Sequence, residues 1–239
     1  DRRPVFGNTA FSCLATVDGE ESYTPLWRPN FITALRQEDR CHLKGLAMVD
    51  GVATYVTCIG QSYTSQGWRD SRRDGGLLLH VASGETVASG LSMPDYPRWY
   101  RGKLWLHNSG TGEFGHIDLD TGRFVPVAFC PGYLRGLSFV NQYAVVGLSM
   151  GRDNTFGSLP LQVALAERCV MARCAMQVVD LHSGDVVHEI RLKGDVSELY
   201  DTAVLPGVRL PATVGYMSQE FMTRISFRDP DQGKVVYTQ

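Results

Sequence analysis

One hairpin recurs along this chain: an apolar strand, a turn ending in glycine, and a second apolar strand. Its turns are Val17-Asp18-Gly19, Ala82-Ser83-Gly84, Asp120-Thr121-Gly122 and His182-Ser183-Gly184. Asp-Gly and Ser-Gly turns suit tight hairpins because glycine accepts a positive φ. A second unit precedes the later copies, a strand, a turn and a strand. It is clearest in His42-Leu43-Lys44-Gly45-Leu46-Ala47 followed by Thr54-Tyr55-Val56-Thr57, and in Leu134-Arg135-Gly136-Leu137-Ser138 followed by Ala144-Val145-Val146-Gly147. Pro94 to Trp99 followed by Leu104-Trp105-Leu106 is a looser copy. The two units together make a four-stranded antiparallel sheet, with strands A to D. Repetition of such a sheet at roughly 40 residues is the signature of β-propeller blades.

The expected fold is therefore all-β, a propeller of about five visible blades, or a six-bladed ring lacking its N-terminal blades. Blade one runs from about His42 to Ser89, blade two from Asp95 to Phe129, and blade three from Tyr133 to Lys193. A further blade begins at Leu199-Tyr200-Asp201-Thr202-Ala203-Val204, and residues 4 to 28 read as the last strands of an earlier one. C-terminal strands are expected near Ile225 to Phe227 and Val235 to Tyr237. Residues 1–239 read as a single propeller domain, with 150–174 a helical cap inserted in it. Two segments read as helix, Phe31 to Glu38 and Leu159 to Ala172. The competing architecture is a β-sandwich, which regular repetition of the same hairpins disfavours.

At 239 residues, with 44% hydrophobic and 20% charged residues, the chain reads as an ordinary globular domain. A net charge of −2 argues against a basic nucleic-acid surface, and no run of 18 apolar residues signals a membrane helix. The start at Asp1, without Met or a cationic leader, reads as a processed product or a fragment. Six cysteines without a CxxC pair read as reduced, mostly buried thiols, and the expected compartment is the cytoplasm. No metal site and no particular cofactor is indicated. Two short motifs fail on context. Gly110-Thr111-Gly112-Glu113-Phe114-Gly115 matches G-x-G-x-x-G, but its last glycine enters a strand rather than a helix. Gly147-Leu148-Ser149-Met150-Gly151 matches the nucleophile elbow, but Arg152-Asp153-Asn154-Thr155 intervenes where a helix should start.

The run Trp27-Arg28-Pro29 and then Asp39-Arg40-Cys41-His42-Leu43-Lys44-Gly45-Leu46-Ala47 resembles a bacterial family known as TIGR03032 or DUF4915. Similar runs are Gly67-Trp68-Arg69, Gly90-Leu91-Ser92-Met93-Pro94, Asn108-Ser109-Gly110-Thr111-Gly112-Glu113, Val146-Gly147-Leu148-Ser149, and Leu199-Tyr200-Asp201 with Leu205-Pro206-Gly207. The resemblance spans nearly the whole chain and implies a propeller-like domain, with no established activity. The chain departs from the family pattern at Lys44, where Asn is usual, and at Asp95, where His is usual.

Topology sorts the polar residues. Strand A lines the channel of a propeller, and loops entering A share a rim with loops from B to C, because antiparallel strands reverse. The D-to-A segments carry Arg40, His42, Asp95, Arg135, Glu198 and Asp201; the B-to-C segments carry Trp68, Arg69, His107, Asn108, Ser109, Ser149, Arg152 and Asp153. All are expected on one face. The turn glycines are spaced by 65, 38 and 62 residues, and two long B-to-C loops hold much of the excess. Loops of that length inside a compact domain are usually functional or disordered, and the second, which carries the helix, is expected to be an ordered cap over the channel mouth.

Arginines can hold a carboxylate or phosphate in bidentate fashion. His42 with Asp201 is the candidate pair for a base and its orienting acid. The first expectation is a binding module for a small polar or anionic ligand at the channel mouth. An enzyme at the same rim, a hydrolase or isomerase with or without a metal, is the alternative, and a protein-interaction scaffold or self-associating module is the third. Neither nucleic acid nor membrane is an expected partner.

Overall fold

A computed structural model describes residues 3–17, 19, 21–152, 155–211, 215, 225–228 and 235–238. The chain divides into two compact units, Asp1–Val204 and Leu205–Gln239. Among its described residues the second holds an antiparallel hairpin, β16 (Ile225–Arg228) with β17 (Val235–Thr238).

The first unit is a succession of antiparallel sheets in chain order. β1 (Val5–Asn8), β2 (Cys13–Thr16) and β3 (Thr24–Trp27) form a three-stranded sheet. Three four-stranded sheets follow. They are β4 (Leu43–Val49), β5 (Val52–Cys58), β6 (Gly76–His80) and β7 (Thr86–Leu91); then β8 (Pro94–Tyr100), β9 (Lys103–Asn108), β10 (Glu113–Asp118) and β11 (Arg123–Phe129); then β12 (Tyr133–Val140), β13 (Tyr143–Ser149), β14 (Ala175–Asp180) and β15 (Val186–Arg191). Each is a simple meander, so the A-to-D pattern expected from the repeats is the observed one. Gly19 falls between β2 and β3, which gives β1 to β3 the B, C and D places.

The cores lie between successive sheets, and this separates a propeller from a sandwich. Leu14 of β2 packs with Leu43, Val56 and Leu79 of the next sheet. That sheet turns Ala47 and Leu78 the other way, against Leu104, Leu106 and Ile117. The third sheet in turn presents Trp105 and Phe114 to Leu134, Leu137, Val146 and Val179. Adjacent residues such as Leu78 and Leu79 thus serve different cores, as strand alternation requires of a sheet buried on both faces. Each fully buried leucine contributes about 1.5–3 kcal/mol.

The turn glycines do two jobs. Gly84, Gly122 and Gly184 have φ of +73°, +68° and +79°. Each closes its turn by donating its N–H to the carbonyl four residues earlier, at 2.8 Å. A Cβ on Gly84 would lie 2.5 Å from the Asn30 side chain, in the turn that follows β3, whereas one on Gly122 or Gly184 would lie 2.5 Å from the Val87 or 2.6 Å from the Val127 carbonyl oxygen of the preceding sheet. A larger residue at Gly122 or Gly184 would push successive sheets apart.

Three expectations change. Phe31 to Glu38 forms turns, with Ile32 N–H donating to the Pro29 carbonyl at 2.9 Å, rather than a helix. So short a segment cannot offset helix nucleation, and burial of Ile32 in the core fixes it otherwise. The second helix is shorter than expected: α1 spans Pro160–Glu167, buries Leu161 and Leu165, and stops before Cys169, whose φ is +51°. Leu199 to Val204 carries no strand, although it runs along β12 and β13, where Ser149 Oγ exchanges hydrogen bonds with the Leu199 backbone (2.9 and 3.1 Å).

Candidate functional site

The innermost strands β4, β8 and β12 each break register near their starts, between Leu43 and Leu46, Asp95 and Arg98, and Arg135 and Leu137. These bulges nest in one another. A Cβ on Gly45 would lie 2.2 Å from Pro97 Cδ of the next sheet. One on Gly136, whose φ is +69°, would lie 2.3 Å from the Thr202 backbone nitrogen. Gly45, Pro97, Gly136 and Thr202 therefore hold equivalent places, and the residue before each is Lys44, Tyr96, Arg135 or Asp201. Each of four successive repeats contributes one polar side chain at the same place.

These positions converge. Lys44 Nζ of the first four-stranded sheet lies 5.7 Å from the centre of the Tyr133 ring, which belongs to the third. Arg135 Cζ lies 5.3 Å from the same ring. Tyr96 of the second sheet donates its hydroxyl hydrogen bond to the Tyr200 carbonyl. Lys44 Nζ also lies 2.5 Å from Asp95 Oδ2, which pairs the first four-stranded sheet with the second. Asp95 is 3% exposed and occupies the place that Leu43 and Leu134 fill in the neighbouring repeats.

The fields follow from this packing. Burial works to lower the Lys44 ammonium pKa, but Tyr133 and Asp95 carry it above its ordinary value. Burial, reinforced by Asp95 and Asp201, raises the Tyr96 phenol. Behind the ring, His107 is fully buried and its Nε2 lies 2.9 Å from the Gly136 carbonyl oxygen. Burial lowers its pKa to about 4, against the pull of that hydrogen bond and of Asp95, so the ring is neutral at neutral pH. Arg135 Nε is buried without a hydrogen-bond acceptor among the described residues.

A second cluster stands just before β4. Asp39 Oδ2 accepts from His42 Nδ1 at 2.8 Å and from Trp68 Nε1 at 3.0 Å. The His42 and Trp68 rings lie 4.2 Å apart, and Arg69 Cζ sits 4.6 Å from the Trp68 ring. The pairing expected between His42 and Asp201 is thus replaced by one between His42 and Asp39. Asp201 instead accepts from the Thr202 backbone N–H at 2.8 Å. The reason is local. Positive φ at both Asp39 (45°) and His42 (48°) folds the chain back so that the two side chains meet.

The remaining candidates are distributed differently. Arg40 pairs with Glu38 at 2.6 Å. Asn108 Oδ1 accepts from the Ser92 backbone at 2.7 Å, and Ser109 Oγ donates to the Leu134 carbonyl at 3.1 Å. Both are buried and brace neighbouring turns. Arg152 forms an exposed pair with Glu198 at 3.0 Å, which lowers the Glu198 pKa through that hydrogen bond, with a smaller contribution from Arg135. Asp153 lies outside the described residues. The ring partners Lys44, Tyr96 and Tyr133 and the orienting Asp39 stand outside the candidate set read from sequence, whereas His107, expected at the rim, lies fully buried behind the ring. The repeat alignment could have found Lys44 and Tyr96. No sequence signal marks Asp39 as the acceptor for both His42 and Trp68.

Two surface pockets lie apart from these clusters. One, of about 280 Å³, is lined by Lys103, His116, Asp118 and Val125 among others; the second, of about 200 Å³, by Cys13, Trp27, Arg28 and Leu35. Among the described residues, no three His, Cys, Asp or Glu are placed to hold a metal, and no helix is long and apolar enough to cross a membrane.

A family model described as "Domain of unknown function (DUF4915)" matches residues 1–214. No match is found among curated proteins. Solved structures with a similar backbone include the computationally designed Ika8 protein (TM-score 0.47, 13% identity, 86% of this chain and 50% of that one). Others are the dihydro-heme d1 dehydrogenase NirN in complex with DHE (0.44, 13%, 81% and 36%) and the glutaminyl cyclase of Myxococcus xanthus (0.41, 15%, 87% and 86%). The chain spans half the length of the designed protein and about a third of NirN.

Proposed function

The chain belongs to the DUF4915 family, whose description assigns no activity, and on that premise we propose from its geometry that it binds a small polar or anionic ligand at the ring of strand-A starts. The observation that carries this reading is Arg135. Its Nε is buried beside Tyr133 without an acceptor, and no acid lies within ion-pair distance among the described residues. A buried donor without an acceptor is costly unless something else accepts from it. Lys44, by contrast, is already neutralised by Asp95. Arg135 is therefore the cation left for a carboxylate or phosphate, with Tyr96 and Asp201 close enough to influence each other and available to read polar groups on the same ligand.

The test is a thermal-shift and calorimetric panel of inorganic phosphate, acetate, citrate, gluconate and glucose 6-phosphate on the whole chain, repeated on Arg135→Ala. At least one anion should raise the melting temperature of the parent protein and fail to do so for the variant, while the unliganded variant loses little stability. A large stability loss in Arg135→Ala, with no panel member binding the parent, would make Arg135 a structural residue.

An enzyme at the same rim is the second reading. The oriented pair of Asp39 and His42 favours it.

A further inference from the structure

We infer that Asp39 and Trp68 hold His42 as an oriented base, whose Nε2 takes a proton from a hydroxyl-bearing ligand at the channel mouth; this rests on reading the mouth as a ligand site. The argument begins with donors and acceptors. An ionised carboxylate only accepts hydrogen bonds, and the indole N–H only donates. Asp39 Oδ2 receives both His42 Nδ1, at 2.8 Å, and Trp68 Nε1, at 3.0 Å. In its neutral form His42 must then carry its proton on Nδ1, which leaves the lone pair on Nε2. Among the described residues no hydrogen-bond partner takes Nε2, and the His42 side chain is 26% exposed.

The backbone is bent to make this arrangement. Asp39 and His42 are non-glycine residues with φ of 45° and 48°. The segment is pinned on both sides, by Asp39 N–H to the Ala10 carbonyl and Gln66 N–H to the Glu38 carbonyl, each at 2.9 Å. Strain held in place by its surroundings tends to gather at working sites. Trp68, 5% exposed, closes one face of the imidazole at 4.2 Å. His42 stands two residues before Lys44, at the end of the sheet that carries the ring.

The step itself is one proton transfer. The ligand O–H bond breaks and leaves its electron pair on oxygen. A new N–H bond forms at Nε2, and the imidazolium produced lies against the Asp39 carboxylate, which stabilises it. Asp39 is a positioning residue here and does not itself meet the ligand.

The test reads the tautomer first. Long-range ¹H–¹⁵N NMR of the full chain with labelled histidine should show neutral His42 protonated on Nδ1. Asp39→Gly tolerates the positive φ while removing the carboxylate, and should shift His42 toward the Nε2-protonated form. Asp39→Asn, whose carbonyl oxygen can take the same two donors, should retain the parent tautomer. Carbethoxylation of His42 by diethyl pyrocarbonate, followed by mass spectrometry against exposed His182, should slow severalfold in Asp39→Gly. Gluconate, which carries a carboxylate and hydroxyls, should protect His42 in the parent, and acetate should not. An Nε2-protonated parent, or an Asp39→Gly protein with unchanged tautomer and reactivity, overturns the oriented base. An unchanged His42 rate in gluconate overturns the ligand half. The tautomer readout needs no ligand, so a failed anion panel removes the Arg135 reading without touching it, and a wrong tautomer leaves that reading intact.

Discussion

Lys44 Nζ and Asp95 Oδ2 lie 2.5 Å apart, joining the innermost strands of two successive sheets at a place where the neighbouring repeats put leucine beside the polar position. The carboxylate is nearly enclosed and the lysine side chain mostly buried, with side-chain exposures of 4% and 18%. A charge so enclosed depends on its partner.

Lys44→Met should therefore cost about 3–5 kcal/mol, because it strands a buried carboxylate. The double variant Lys44→Met with Asp95→Leu should recover most of that loss, since Leu43 and Leu134 already fill the equivalent place. Urea midpoints of the singles and the double measure the cycle. A double variant as unstable as Lys44→Met alone would refute the argument.

Gly136→Ala tests the nesting of the bulges. Gly136 and Gly51 both have positive φ, +69° and +80°, but a Cβ on Gly51 meets nothing within 4 Å, whereas one on Gly136 would sit 2.3 Å from the Thr202 nitrogen. Both alanine variants bear a left-handed backbone cost of about 1–2 kcal/mol. Gly136→Ala should lose a further ~1–3 kcal/mol from overpacking. Equal losses would mean that the 199–204 segment does not seat against β12.

His107 predicts an acid limb of stability. Its folded pKa is about 4 against an ordinary 6.5, because it is buried. The unfolded chain therefore takes up this proton first as pH falls. The stabilising contribution is complete above pH 6.5, declines between 6.5 and 4, and is flat below 4. The span corresponds to about 3 kcal/mol. His107→Gln should flatten that part of the stability–pH curve, as followed by denaturant titration at several pH values.

Cys169 is exposed and the other five cysteines are buried. Burial raises the thiols of Cys13 and Cys174, and that of Cys130 to about 12. Iodoacetamide on the native protein should label Cys169 alone, and all six after unfolding, as counted by mass spectrometry. Native labelling of Cys130 would contradict the core packing between β8–β11 and β12–β15.

The succession of sheets was legible in the amino-acid order because it rests on local chemistry. A turn glycine at +73° or +79° is needed whatever lies around it, and consecutive apolar residues such as Leu78 and Leu79 declare a strand with two buried faces. The equivalence of Lys44 and Arg135 was present too, in the repeated Leu-Lys-Gly-Leu and Leu-Arg-Gly-Leu. Local order did not carry the partners. Phe31 to Glu38 looks helical until Ile32 is drawn into a core formed by distant strands. Leu199 to Val204 has strand-like composition, but its hydrogen bonds go to the Ser149 side chain and, through the Thr202 hydroxyl, to the Val145 carbonyl rather than to a ladder. His42 takes Asp39 because of two backbone angles, and Trp68 reaches the same oxygen from a loop far along the chain. Turns and strand faces follow from short-range sterics and burial, which a sequence encodes directly. Which charge meets which depends on how bulges from successive sheets nest around an axis, and only the assembled chain brings those side chains within hydrogen-bond reach.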